Sequence, residues 1–112
     1  MTKDDLVYVG HMLDFSREVC AFLHAKSRAE FDSERLFRLA VTHLIQNIGE
    51  AASHVSPGFK GAHSDIPWGD IVGMRNRIVH GYVDVDDAVV WDAAFRDIPR
   101  LVDLLDPLVP PV

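Results

Sequence analysis

From Tyr8 the large apolar residues fall at Tyr8, Met12, Phe15, Val19 and Phe22, a 4-3-4-3 spacing that returns to one side of a helix of 3.6-residue period. The pattern predicts an amphipathic helix over about residues 4 to 25. A second run, Phe37, Val41, Leu44, Ile48, Ala51 and Val55, repeats the spacing after Asp32-Ser33, either of which can cap it. Leu36, Leu39, Ala40, Ile45 and Ala52 widen its apolar surface beyond one stripe, so this helix is expected between neighbours, at the centre of a bundle.

The segment from Ser56 to Ile66 holds a proline, two glycines and no sustained period, and reads as a loop. Pro67 suits a helix start, which predicts a short helix from Trp68 through His80 that Gly81 terminates, with His80 in its last turn. Asp84 or Asp86 can cap a fourth helix through Val89, Trp91 and Phe95. Pro99 then opens a short last helix through Leu101, Val102, Leu104 and Leu105, which Pro107 and Pro110-Pro111 stop. Only Tyr82 to Val85 alternates at period two, too short for a sheet. The expected fold is all-α, an up-and-down bundle of four main helices plus a short C-terminal helix, forming a single domain over residues 1–112.

Composition narrows the chemistry. With 112 residues, 48% hydrophobic and 25% charged, the chain has the make-up of one globular domain. A net charge of −6 argues against broad binding to nucleic-acid backbone, which calls for many cations, so any such contact must be local. A lone cysteine, Cys20, excludes an internal disulfide and a four-cysteine zinc site and fits a reducing cytoplasm. No apolar run approaches the roughly 20 residues of a membrane span, and the opening Met-Thr-Lys-Asp-Asp lacks the apolar core of a signal peptide. The expectation is a cytoplasmic protein with no membrane contact.

The densest chemistry lies in Met74-Arg75-Asn76-Arg77-Ile78-Val79-His80-Gly81-Tyr82. Arginine only donates and is permanently charged, while histidine exchanges its proton near neutral pH, so the segment suits an anionic ligand handled with proton transfer. On a continuous helix Asn76 would share a face with His80 at i+4, and Arg77 would lie one turn from it at i+3. Arg75 would not: five residues correspond to about 140° of rotation and about 7.5 Å of rise. Either the last turn is distorted, or a second subunit completes the site, bringing two arginines and two histidines into one cleft. The competing reading is structural, with Arg75 and His80 paired to a carboxylate such as Glu50 and tying helices together.

A second constellation, His43, Asn47, Glu50 and His54, forms a polar stripe on the long helix. It reads first as a solvated face in which Glu50 and His54 pair at i, i+4, with Glu50 also able to anchor an arginine of the later helix. From His43 to His54 the helix rises about 16 Å, too far for one ion to be wrapped, so no metal site is expected. His63 with Asp65 is a weak signal, and Trp68 and Trp91 read as core anchors. Tyr82, just past the expected helix end, reads from the residues alone as a packing contact.

Arg75, four intervening residues, His80, one residue and Tyr82, preceded by Ile66-Pro67-Trp68 and Gly73-Met74, resemble the HepT-like branch of the HEPN-domain proteins. Ile48-Gly49-Glu50-Ala51, Val85-Asp86 and Val90-Trp91 extend the resemblance in the same order over nearly the whole chain. The resemblance implies a helical homodimer acting as a metal-independent endoribonuclease toxin with no cofactor, paired with a small MntA-like nucleotidyltransferase antitoxin. It further implies that Arg75 and His80, with Asn76 beside them, act on RNA in a cleft between two copies; by their spacing, Glu50 and Arg77 are expected as supporting residues. Tyr82 becomes the residue that the antitoxin adenylylates, placing bulk and negative charge at the cleft. The alternative is a catalytically inactive helical dimer that serves as binding partner and substrate of the nucleotidyltransferase.

Overall fold

The computed structural model of the chain describes residues 3–80 and 84–110, and their side chains apart from those at positions 3, 75, 79, 80 and 84. Helix α1 (Lys3–Ala25) covers the first predicted run, with Asp4 and Asp5 in its first turn and His24 in its last, charges that suit the helix dipole at each end. Helix α3 (Arg35–Ser53) covers the second.

Between them lies a helix that periodicity did not reveal, α2 (Arg28–Ser33). Ser27 caps it: its hydroxyl oxygen accepts from the Glu30 amide at 3.2 Å, and the Glu30 carboxylate accepts from the Ser27 amide at 3.1 Å. This corrects the expected start of the long helix. Asp32 is taken up by Arg28 at 3.1 Å and Ser33 donates to the Glu30 carbonyl at 3.3 Å, so α3 begins at Glu34 without a side-chain cap.

The expected loop from Ser56 to Ile66 also contains a helix, α4 (Pro57–Ala62). Ser56 caps it by accepting from the Phe59 amide at 3.3 Å, and Pro57 occupies the first turn, where its missing donor costs nothing. Ser56 is in turn held by Asp5, a residue only 3% exposed, whose carboxylate accepts from the Ser56 amide at 2.8 Å and hydroxyl at 2.7 Å. This clamp joins the start of α1 to the corner between α3 and α4.

Helix α5 runs Trp68–Ile78 and then departs from expectation. Val79–His80 (β1) pairs antiparallel with Asp84–Val85 (β2), with Val79 opposite Val85 and His80 opposite Asp84, and the Asp86 amide donates to the Ile78 carbonyl at 2.9 Å. His80 is therefore not in a last helical turn. Pairing with Asp84–Val85 captures the backbone two residues earlier than a local terminator would.

Asp86 caps α6 (Asp87–Asp92), accepting from the Val89 amide at 3.2 Å. The expected break before Pro99 is absent. A π-helical turn, Ala93–Asp97, leads straight into α7 (Ile98–Leu105), and a 3-10 turn, Asp106–Leu108, ends the run at Pro107. In the π turn the Ile98 amide reaches back to the Ala93 carbonyl, which widens the helix one residue before a proline that cannot donate.

Helix α3 packs against α1, α2, α5 and α6, and α1 also receives α7, so the long helix is central as its wide apolar surface predicts. Met12, Val19, Val41, Ile45, Ile48 and Ile98 are completely buried, each worth about 1.5–3 kcal/mol of transfer free energy. The short principal extent, 19 Å beside 43 and 31 Å, corresponds to two helix layers. Two of the widening residues behave differently: Leu36 is 82% exposed and Leu39 47% exposed. Among the described residues no helix is long and apolar enough to cross a membrane.

Candidate functional site

Helix α5 is fixed by one apolar side. Ile71, Met74 and Ile78 are buried, and Trp68, buried as expected of a core anchor, donates from Nε1 to the His63 carbonyl at 3.0 Å. Asn76 and Arg77 are exposed. The side chains of Arg75 and His80, and Tyr82 as a whole, lie outside the described residues. What the backbone does establish is that α5 stops between them, at Ile78, and that position 80 belongs to a strand pair. With the helix ended at Ile78, the shared-face relations of Asn76 and Arg77 to His80 are no longer imposed by a helical repeat. The departure from helix after Ile78 is a distorted last turn, and it is compatible with a second subunit completing the site.

Arg77 has a place of its own. With Asp65, Pro67, Asp70, Ile71 and Met74 it lines one wall of a cleft of about 420 Å³ whose other wall is Asp97, Ile98, Arg100, Leu101 and Leu104 of the π turn and α7. Its guanidinium donates to the Asp70 carbonyl at 3.5 Å, one weak contact. Position 75, two residues away and about 200° round the helix, is on the opposite side of α5 from this cleft. Arg77 therefore lies away from the side of α5 that carries position 75, a separation that only the tertiary packing of α7 reveals.

On α3 the polar stripe is a solvated face. His43, Glu50 and His54 are exposed, Asn47 meets the His43 ring at 3.1 Å, and the His54 ring meets the Glu50 carboxylate at 3.3 Å. Glu50 takes part in a further interaction as well. His54 also stacks on Tyr8 of α1, with ring centroids 5.0 Å apart. Among the described residues no group of three His, Cys, Asp or Glu side chains converges as metal ligands would. His63 is half-buried with its ring on Phe59, so it is a packing residue. Cys20 is half-buried, and burial, with a smaller contribution from Asp103, pushes its thiol pKa up, away from a nucleophilic thiolate.

The aromatic pair Trp91 and Phe95 is the feature that sequence reading passed over. Trp91 is half-buried rather than a full core anchor: it meets Phe31 at 5.2 Å, carries the Arg28 guanidinium over its ring at 5.6 Å, and stacks with Phe95 at 6.1 Å and 12°. Their i, i+4 spacing was the available signal, but it is also the spacing of a buried stripe, and the π turn that exposes Phe95 leaves no mark in the periodicity.

Comparison with known proteins adds the following. Residues 12–108 match the family described as Ribonuclease HepT-like. A candidate RNase of Methanocaldococcus jannaschii is 28% identical over 102 residues, covering 90% of this chain and 94% of that protein. A protein of Thermococcus cleftensis described as a probable ribonuclease HepT is 33% identical over 88 residues, covering 79% of this chain and 74% of that one. A candidate RNase of Caldanaerobacter subterraneus is 29% identical over 98 residues, covering 84% of each. No solved structure matches the chain.

Proposed function

We propose that this chain, which belongs to the HepT-like ribonuclease family, is a metal-independent endoribonuclease toxin whose active site is completed by a second copy of itself. The observation that carries the reading is the match over residues 12–108, which encloses the whole segment from Arg75 to Tyr82. The ending of α5 at Ile78 supports it, because it frees position 80 from the helical repeat that would hold it about 140° from position 75.

In the proposed reaction His80 takes the proton from a ribose 2′-hydroxyl, and that oxygen attacks the adjacent phosphorus. The bond to the 5′-oxygen of the next nucleotide breaks, that oxygen is protonated by the second copy's histidine, and a 2′,3′-cyclic phosphate remains. Arg75 stabilises the charge that builds on the phosphate oxygens, Asn76 donates to the same group, and Glu50 supports the site from α3, while Arg77, in the cleft on the other side of α5, takes no part. A nucleotidyltransferase antitoxin silences the pair by adenylylating Tyr82 in the cytoplasm. The net charge of −6 favours a second reading, in which the dimer is inert toward RNA and serves only as that partner's substrate.

The separating experiment is incubation of the purified chain with total RNA in EDTA. Cleavage by the wild type that His80→Ala abolishes, with the same circular dichroism spectrum, is the expected result. RNA left intact by the wild type, or cut equally by His80→Ala, rejects catalysis.

A further inference from the structure

A chain of net charge −6 has few cations for RNA phosphates beyond a local site, because phosphate affinity comes from counterions displaced by many lysines and arginines. Stacking of bases on aromatic rings is indifferent to that deficit, since every base offers a π face. One surface of the molecule is built for it. Phe95 is 62% exposed although Ala93, Ala94 and Ile98 around it are buried, because the π turn Ala93–Asp97 turns it away from the core. Behind it the Trp91 ring lies nearly parallel, at 12° and 6.1 Å, and the Arg28 guanidinium lies 5.6 Å from the Trp91 centroid. Phe31, completely buried, meets Trp91 at 57° and fixes it from the core. The outer ring is thus backed by a second, offset ring that is anchored in the interior.

We propose that Phe95, backed by Trp91 and Arg28, is a platform on which a base of single-stranded RNA stacks, an extension of the cleavage site; it rests on the ribonuclease reading above. Its position fits. Phe95 lies on the helical run that starts immediately after the strand pair containing His80, nine residues beyond the Asp86 cap, or about 13.5 Å of helical rise. Its charges fit as well. Arg96 is exposed beside Phe95, but Asp92 is exposed too, and Arg28 is engaged by Asp32 at 3.1 Å. Little cationic charge is left over, so ring contact rather than phosphate neutralisation supplies the grip. A base paired in a duplex cannot reach an isolated ring of this kind, which makes the substrate unpaired RNA.

The test measures binding of a fluorescein-labelled 2′-O-methyl oligoadenine, whose blocked 2′-oxygens cannot attack the phosphate, by anisotropy in EDTA over a salt series. Phe95→Ala is expected to weaken binding about tenfold or more at every salt concentration, with Phe95→Trp restoring it and the salt slope, already shallow, unchanged. Because Phe95 is mostly exposed, the alanine variant is expected to melt with the wild type. Equal affinity of Phe95→Ala and wild type overturns the platform while leaving the ribonuclease reading intact. So does unchanged oligonucleotide binding together with lost binding to the purified nucleotidyltransferase, which would make Phe95 a protein contact. A wild type that neither binds the oligonucleotide nor cleaves RNA overturns both.

Discussion

Removing the Asp5 carboxylate is the sharpest test of how the bundle's end is held. Asp5 is 3% exposed and accepts two hydrogen bonds from Ser56, one from the amide at 2.8 Å and one from the hydroxyl at 2.7 Å. In Asp5→Ala the Ser56 amide loses its acceptor inside the protein, at a cost of about 1–3 kcal/mol, and the hydroxyl loses a charged partner, about 1.5–3 kcal/mol. Relief of the buried charge's desolvation offsets part of this, leaving a net loss of about 3 kcal/mol. For a chain of this length an unfolding entropy of about 2.1 cal/mol/K per residue turns that into a fall in Tm of about 13 °C. Asp5→Asn, which keeps one acceptor in place, is expected to fall by less than half as much. Thermal melts by circular dichroism at neutral pH measure both, and Ser56→Ala completes a double-mutant cycle. A coupling above about 1 kcal/mol is expected, since each residue is the other's partner. A Tm drop below about 3 °C for Asp5→Ala, or additive effects of the two alanine substitutions, would refute the clamp.

Tyr82→Phe is expected to retain RNA cleavage and to escape silencing when co-expressed with the nucleotidyltransferase, read as persistent growth arrest and no gain of nucleotide mass on the intact chain; full silencing of the variant rejects modification at this position. Hydrogen bonds from the Ser27 amide and hydroxyl, with help from Lys26, hold the Glu30 carboxyl below its ordinary pKa. A depressed folded pKa contributes stability that is present above the unfolded value and lost as pH falls through the folded one. The Tm difference between wild type and Glu30→Gln should therefore shrink on acidification from neutral pH, and a constant difference contradicts the capping box. The Cys20 thiol, raised by burial and by Asp103, is expected to react with iodoacetamide at pH 7.5 more slowly than free cysteine; equal rates would show that its helix face opens readily.

The parts of the fold legible in the sequence are those decided locally and repeatedly. Phe37, Val41, Leu44 and Ile48 recur often enough to define α3, with Ile45 among the residues that mark its central place, and Tyr8 to Phe22 define α1. The short helices were written as caps rather than periods. Ser27 with Glu30, and Ser56 with Pro57, carry the same signals that were read correctly at Pro67, in stretches whose glycines and polar residues obscured them. What the residues could not announce is non-local. Strand pairing across residues 81–83 ends α5 at Ile78, and the packing of α7 sends Arg77 into a cleft away from position 75. The Arg-x-x-x-x-His spacing was visible at once, but the backbone geometry that carries it depends on a partner strand.

The π turn at Ala93–Asp97 takes up one residue more than an α-helical turn, between stretches that both reach the core, with Val90 buried before it and Ile98, Leu101 and Leu105 after it. Because the bulge absorbs its extra residue within one turn, deleting a residue there restores regular α-helix and leaves the flanking side chains facing as before, whereas a deletion inside α7 turns every later side chain by about 100°. The turn is therefore the place in this run where the chain can change length without losing its register, a slack link between two fixed ones.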